Sequence, residues 1–347
     1  MIVVLGYYGF GNLGDEAILS VLCRDLTEVG LNLQDVFVLS ADPRGTAEKH
    51  GVQALDRYNF RDIWQALGSA RCLISGGGSL LQDATSKRSL PYYLGLAELA
   101  FTRGVPVIIY GQGLGPISSK VYRRWTKRFF LKSLDFTIRD EDSAHLLHSL
   151  GVPGALEKVS ADPVFQWADV EEEYAKSPRE TLLLNIRPYP GWTAQRALWL
   201  RFIRQRQEEG LVVEFIPLGP GDLQLGHNLQ SQIPSLLVHP ALTLENYKQI
   251  FKRASLCVSM RLHGLIFSAI ENVLPVGVNY DPKIRAVSKQ LDILSWEINN
   301  LASLDQGVGI SWQEYAGRLE RCQRAATKLR RKAFLNRQML ARALGQE

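Results

Sequence analysis

Arg261 and His263 stand two residues apart, just past the apolar run Ala254–Val258, within Ser259-Met260-Arg261-Leu262-His263-Gly264. The order reads as a buried strand that ends in a cation, an imidazole and a glycine before a new helix begins. An arginine at the mouth of a strand is a planar donor fork for phosphate or carboxylate. An imidazole two positions on is the side chain suited to moving a proton near neutral pH. The first amides of the following helix add positive potential to the same spot. Together they would hold an anion beside a proton donor. Taken alone, an Arg-x-His pair is more often a surface ion pair with a capped histidine. Position favours chemistry, because ligands of open α/β sheets gather beyond the carboxyl ends of the strands.

Other strand ends in the chain carry similar marks. The first apolar run leads into Gly6-Tyr7-Tyr8-Gly9-Phe10-Gly11-Asn12-Leu13-Gly14-Asp15-Glu16, where Gly11 and Asn12 leave the backbone free to turn and offer its amides at a helix start. The spacing does not match a dinucleotide fingerprint, and Asp15 could simply cap the helix. Gly76, Gly77 and Gly78 follow a third run, with Gln82 and Asp83 beyond, and mark a close approach by a ligand or by another backbone. A fourth run ends at Tyr110-Gly111-Gln112-Gly113, and a fifth at Ile138-Arg139-Asp140. Arg139 thus closes its strand as Arg261 closes another, and Arg187 ends the run that starts at Thr181. Leaving Arg187 aside, the ends of the first, third, fourth and fifth runs and the end at Arg261 make five, and five such strand ends argue for an anion-binding cleft.

The elements that must position these residues alternate between β-branched runs and segments of helical period. Strands are expected at Ile2–Leu5, Val36–Leu39, Cys72–Ser75, Val105–Tyr110 and Phe136–Arg139, with helices such as Glu16–Val29, Tyr92–Thr102, Lys120–Ser133 and Glu141–Leu150 between them. A charged, proline-bearing stretch, Asp169–Glu180, reads as a linker. The alternation then restarts with Thr181–Ile186, Val212–Pro217, Leu256–Ser259 and Val276–Asn279. The expected fold is α/β: two Rossmann-like domains with parallel sheets facing a cleft, at residues 1–168 and 181–311. Residues 312–347 form a basic helical segment.

The 347 residues suit two domains, and the apolar fraction of 46% is ordinary for a globular protein. No apolar run is long enough to span a bilayer, and the amino terminus reads as a strand rather than a leader. Cys23, Cys72, Cys257 and Cys322 have no metal-ligand spacing and read as buried thiols in a reducing cytoplasm. No metal and no cofactor is expected. The net charge of +5 is concentrated. Lys120, Arg123, Arg124, Lys127, Arg128 and Lys132 interleave with Tyr122, Trp125, Phe129 and Phe130, and the C-terminal segment is similarly basic. Such helices suit an anionic membrane surface; the plainer alternative is a solvated face with its aromatics in the core. No nucleic-acid motif is present.

At these residues the chain resembles the polysaccharide pyruvyl transferase family, in particular its bacterial cell-wall-polymer branch. The resemblance is carried by Gly9–Glu16, Gly76–Asp83, Gly111–Pro116, Arg139-Asp140, Ala161-Asp162-Pro163, Ser259–His263 and Asn279–Lys283, in that order over nearly the whole chain. It implies a glycosyltransferase-B-like pair of domains. It also implies transfer of a pyruvyl group from phosphoenolpyruvate to a sugar, soluble or lipid-linked, as a cyclic ketal. The family's arginine and histidine of Arg-Leu-His match Arg261 and His263, and Arg139 is the match for its first-domain arginine.

That chemistry asks for cations on a carboxylate and a phosphate, and for a proton donor to the methylene carbon. His263 would be the donor, and Arg261 and Arg139 would hold the anions. Arg187 and Lys283 are further cations, and Asp15, Asp83 and Asp162 are alternative bases for the sugar hydroxyls. Two other readings stay open. One is a nucleotide-sugar glycosyltransferase on the same scaffold, with Glu271 as a ribose ligand. The other is a binding protein that kept the fold without catalysis.

Overall fold

The computed structural model describes residues 1–83, 88–167, 180–303 and 312–345. The expected linker Asp169–Glu180 lies outside the described residues except for Glu180, as do four residues of the loop after Asp83. The chain forms two compact units. The first comprises Met1–Phe10, Asp15–Gln166 and Leu329–Glu347; the second comprises Gly11–Gly14 and Trp167–Lys328.

In the first unit the strands are β1 (Ile2–Tyr8), β2 (Val36–Ser40), β3 (Gln53–Asp56), β4 (Cys72–Ser75), β5 (Gly78–Leu81), β6 (Val107–Leu114) and β7 (Asp135–Ile138). They form one sheet in the order β3-β2-β1-β4-β6-β5, with β7 also paired to β6. Every pairing is parallel. The helices between them are α1 (Leu13–Glu28), α2 (Pro43–His50), α3 (Phe60–Gly68), α4 (Ser89–Thr102), α5 (Lys120–Lys132) and α6 (Glu141–Ser149). Successive strand residues enter different core layers. Val3, Leu5, Leu73, Val107 and Ile109 join one cluster, while Ile2, Val4, Cys72, Ile74, Ile108 and Tyr110 join another. Burial on both faces is why these strands read as continuous apolar runs.

The second unit has β8 (Thr181–Asn185), β9 (Val212–Phe215), β10 (Leu237–Val238), β11 (Leu256–Ser259), β12 (Leu274–Asn279) and β13 (Ser295–Glu297). Their order is β10-β9-β8-β11-β12-β13, again all parallel. Numbered within the unit this is 3-2-1-4-5-6, the dinucleotide-fold order, whose switch point falls between the first and fourth strands. Helices α7 (Trp192–Glu208), α8 (Asp222–Gln230), α9 (Tyr247–Phe251), α10 (Leu262–Ile270) and α11 (Pro282–Gln290) connect the strands.

A helix over Trp312–Ala343 follows. Cys322, Ala326, Leu329, Ala333, Asn336, Leu340 and Leu344 are all buried. Their spacing of three or four residues is one helical stripe. The basic residues read from sequence lie off that stripe. On α5, too, Phe129 and Phe130 are buried while Arg123, Arg124 and Arg128 are exposed. The aromatics of that helix are therefore core residues, with Tyr122 and Trp125 packed against the same cluster.

Candidate functional site

The second sheet ends β8, β11 and β12 side by side at its switch point, roughly 5 Å apart from strand to strand. Arg187 lies two residues past β8, Arg261 and His263 follow β11, and Tyr280 and Lys283 follow β12. The sequence therefore delivers four of the expected polar side chains to one edge of one sheet.

Arg261 is held from behind. Its Nε and Nη2 each lie 2.6 Å from the two carboxylate oxygens of Asp222. Nη2 also donates to the Pro220 carbonyl at 3.2 Å. Asp222 is fully buried and accepts in addition from the Leu218 amide and from Asn185 Nδ2, both at 3.1 Å. Ser259 Oγ accepts from the Arg261 amide at 3.0 Å and donates to Asn185 Oδ1 at 3.2 Å. Two edges of the fork are thus committed before any substrate arrives, which fixes the plane of the guanidinium. Gly219 allows this packing, since a Cβ there would sit 2.6 Å from Arg261 Cζ. Sequence reading missed Asp222, although Gly219-Pro220-Gly221-Asp222 after the apolar β9 was a legible helix start.

His263 is the second residue of α10, with its ring 6.2 Å from that of Phe267. The ring packs on Gly14 of the same unit: a Cβ on Gly14 would fall 1.9 Å from Nδ1. The Leu13 amide donates to the Leu218 carbonyl at 3.0 Å, and Asn12 Oδ1 accepts from the Gly14 amide at 3.2 Å. Gly11 has a positive φ of 69°. Asn12 and Gly11 therefore shape the backbone that brings Gly14 against the imidazole.

Arg187 Nη1 donates to Tyr280 Oη at 2.5 Å, and its guanidinium lies 4.8 Å from that ring. Lys283 Nζ is 3.6 Å from Asp281 Oδ2, while Asp281 caps α11 by accepting from the Lys283 amide.

In the first unit, Arg139 is only 4% exposed and lies within 3.4 Å of Asp162 and 3.3 Å of Asp140. Its Nη2 donates to Ser79 Oγ at 3.0 Å. Gln112 is buried and donates to the Gly78 and Gly113 carbonyls. A Cβ on Gly76 would lie 2.1 Å from Tyr8 Oη, and one on Gly77 3.1 Å from the Gly111 carbonyl. Gly78, with φ 96°, faces Asp15 Oδ1. The close approaches that the three glycines permit are thus to this unit's own atoms. Gly76 and Gly77 separate β4 from β5, which pair with the first and second halves of β6.

The three carboxylates left open as bases differ. Asp83 accepts from the Ser118 and Ser119 amides. Its slight burial alone would raise its pKa, but these amides hold the carboxyl below its ordinary value. Asp162 accepts from the Val164 amide and faces Arg139. Asp15 is buried next to Tyr8, whose hydroxyl is pushed far up first by burial and then by Asp15.

Solved structures share this fold at low identity. UDP-N-acetylglucosamine 2-epimerase from Neisseria meningitidis, bound to UDP-GlcNAc, aligns with TM-score 0.66 at 12% identity over 100% of both chains. A putative UDP-N-acetylglucosamine 2-epimerase from Listeria monocytogenes aligns with TM-score 0.66 at 9% identity, over 98% of this chain and 94% of that one. Anabaena HepE in complex with UDP-glucose gives TM-score 0.65 at 10% identity over 100% and 99%. These likenesses establish two parallel-sheet α/β domains of glycosyltransferase-B type. No curated protein matches the chain. The family model described as polysaccharide pyruvyl transferase matches residues 12–282, which takes in Asn12, Gly76–Gly78, Arg139, the Arg-Leu-His edge and Asp281. The chain belongs to the polysaccharide pyruvyl transferase family.

Proposed function

We propose that the chain transfers the enolpyruvyl unit of phosphoenolpyruvate to two hydroxyls of one sugar, forming a cyclic pyruvate ketal and releasing phosphate. The observation that carries this reading is the convergence of Arg187, Arg261, His263 and Lys283 on the carboxyl ends of neighbouring strands. Arg261, oriented by Asp222, and the flanking cations suit a small ligand bearing both carboxylate and phosphate. His263 protonates the methylene carbon, which makes C2 electrophilic. A sugar hydroxyl adds to C2 and the C2–O bond to phosphate breaks. The second hydroxyl then adds, so one hydroxyl proton balances the new methyl group and the other leaves with phosphate. Arg139 is the first-domain arginine of the family and joins the set for replacement. Asp15, Asp83 and Asp162 are the candidate bases for the sugar hydroxyls in this reading.

The second unit is the donor side of this reading and the first unit the acceptor side. The acceptor is a lipid-linked saccharide of the cell-wall-polymer type, modified at the cytoplasmic face of the membrane. Support comes from α5, where Val121 and Leu131 are exposed among Arg124, Arg128 and Lys132. No helix among the described residues is long and apolar enough to cross a membrane.

Calorimetric titration with phosphoenolpyruvate, comparing the wild type with Arg261→Ala and His263→Ala, tests the reading. It expects saturable binding that Arg261→Ala abolishes and His263→Ala largely keeps, with phosphate release lost in both. Binding of a nucleoside diphosphate instead would move the assignment to a glycosyltransferase. Against that alternative, Glu271 is buried and accepts from Tyr247 Oη at 3.0 Å.

A further inference from the structure

Arg57 follows β3 in the first unit and is 3% exposed. Its Nη1 donates to the Gly6 carbonyl at 3.0 Å, where the register of β1 against β2 shifts, and its Nη2 to Tyr93 Oη at 3.3 Å. Among the described residues its Nε has no hydrogen-bond partner, and the groups that act on its charge are tyrosines. Aromatic faces surround it instead. The guanidinium carbon lies 4.8 Å from the ring centre of Phe10, 4.6 Å from Tyr92, and 5.7 Å from Tyr58 and Tyr93. Tyr7 stacks on Phe10 at 4.2 Å with planes 14° apart.

A buried arginine without an acid is expensive unless its charge is met another way. Four π faces meet it here, and in exchange the cation fixes the rings. The outer part of the group faces solvent: Tyr58 is 60% exposed, and Tyr7, Phe10 and Tyr92 are half-buried. Tyr92 Oη donates to the Arg57 carbonyl at 2.8 Å, so its ring is held from both ends. Tyr93 belongs to the hydrophobic core and Tyr7 and Tyr92 pack against it, which anchors the group from beneath, while the Tyr58 ring stands out into solvent. Its electron-rich faces complement the weakly positive C–H face of a pyranose ring.

We propose that the aromatic group organised by Arg57 is a saccharide subsite of the first unit, on which a sugar ring stacks over Tyr58 and its neighbours. The proposal deepens the acceptor side of the reading above and rests on it for the identity of the sugar as acceptor. Arg57 is a positioning residue within it, since its guanidinium is enclosed by the rings.

Saturation-transfer NMR tests it directly, with methyl β-galactoside, methyl α-mannoside and di-N-acetylchitobiose as probes at millimolar concentration. The wild type is expected to transfer saturation to ring C–H protons of at least one probe. Tyr58→Ala should weaken that binding about three- to tenfold, and Tyr58→Trp should restore it. Because Tyr58 is exposed, both variants are expected to fold. Phosphoenolpyruvate titration of the same proteins is the control and should not change. No transfer to any probe, or equal transfer in Tyr58→Ala, overturns the subsite while leaving the donor assignment standing. Absence of phosphoenolpyruvate binding to the wild type overturns the donor assignment, and the sugar result still decides the subsite. If Tyr58→Ala reduces sedimentation with anionic phosphatidylglycerol vesicles but leaves the sugar signal intact, the patch is a membrane contact and the proposal fails.

Discussion

Asp222 grips Arg261 through both carboxylate oxygens, 2.6 Å from Nε and 2.6 Å from Nη2. The acid is fully buried and the arginine nearly so, which makes the pair a fixed part of the sheet edge. A cation anchored this way holds its orientation before any ligand arrives, so little reorganisation is left for the moment of reaction.

Replacing Asp222 by Asn keeps the volume and removes the charge. Breaking a buried pair from one side costs about 3–5 kcal/mol, so the urea midpoint should fall clearly. Phosphate release should fall at least about tenfold as Arg261 loses its orientation. An Asp222→Asn protein matching the wild type in both measurements would show that the pair positions nothing.

Gly14→Ala acts on His263 without touching its chemistry. The new methyl group would fall 1.9 Å from Nδ1 and 2.7 Å from Cβ of His263, so the ring and its point of attachment must both shift. Ala is a good helix residue in the first turn of α1. The expected outcome is a fall of about 10²-fold in turnover that exceeds what the accompanying drop in thermal midpoint accounts for, with unfolding still cooperative. Steady-state kinetics beside calorimetry of unfolding separates this from a general folding defect.

Glu16 ties the first loop to α2. Its Oε1 accepts from the Gly9 amide at 3.0 Å, and Oε2 meets His50 Nε2 at 3.0 Å and Lys49 Nζ at 3.7 Å. Burial would raise its pKa, but the His50 hydrogen bond, the Gly9 amide and Lys49 outweigh it, and the carboxyl lies below its ordinary 4.5. Its contribution is therefore complete above pH 4.5 and is lost as pH falls through the lower folded value. Relative to Glu16→Gln, the wild type should gain about 1–3 kcal/mol near neutrality, shrinking toward zero in strong acid. A gap that stays constant between the two pH values would contradict the assignment.

All four thiols are buried, and burial pushes Cys23, Cys72, Cys257 and Cys322 up to about 12. Iodoacetamide at mildly alkaline pH should leave them unmodified in the folded protein and label them in urea. Mass spectrometry that finds prompt native labelling at any of them would place that thiol in a more open setting.

The central strands were legible because burial on both faces writes an apolar run, as at Ile2–Leu5 and Leu256–Ser259. The edge strands were not. Gln53–Asp56 and Ser295–Glu297 are half-exposed, and Leu237–Val238 is two residues long. Gly111–Leu114 read as a loop, yet it continues β6, since Gln112 pairs with both Gly78 and Ile138. At the candidate site the cations were visible and their partners were not. Arg261, Arg187 and Lys283 sit at strand ends that the sequence marks. Asp222, 39 residues from Arg261 in the chain, and Tyr280 above Arg187 are tertiary neighbours that no local spacing encodes. Arg57 escaped notice for the same reason, because its rings come from three separate segments.

Asn336 accepts from Thr137 Oγ1 and Ser160 Oγ, each at 2.7 Å, and donates to the Ala161 carbonyl at 3.0 Å. Arg71 reaches the Leu344 carbonyl in the same unit. The first unit is thus built from the opening half of the chain and closed by Leu329–Glu347, which are synthesised after the second unit. A domain normally completes as soon as its own stretch emerges, at about 5–20 residues per second. Here the amino-terminal sheet waits, with Met339, Leu340 and Leu344 still missing from its second core layer, until the whole second unit has been synthesised. Translation order leaves that core layer open to solvent over the interval.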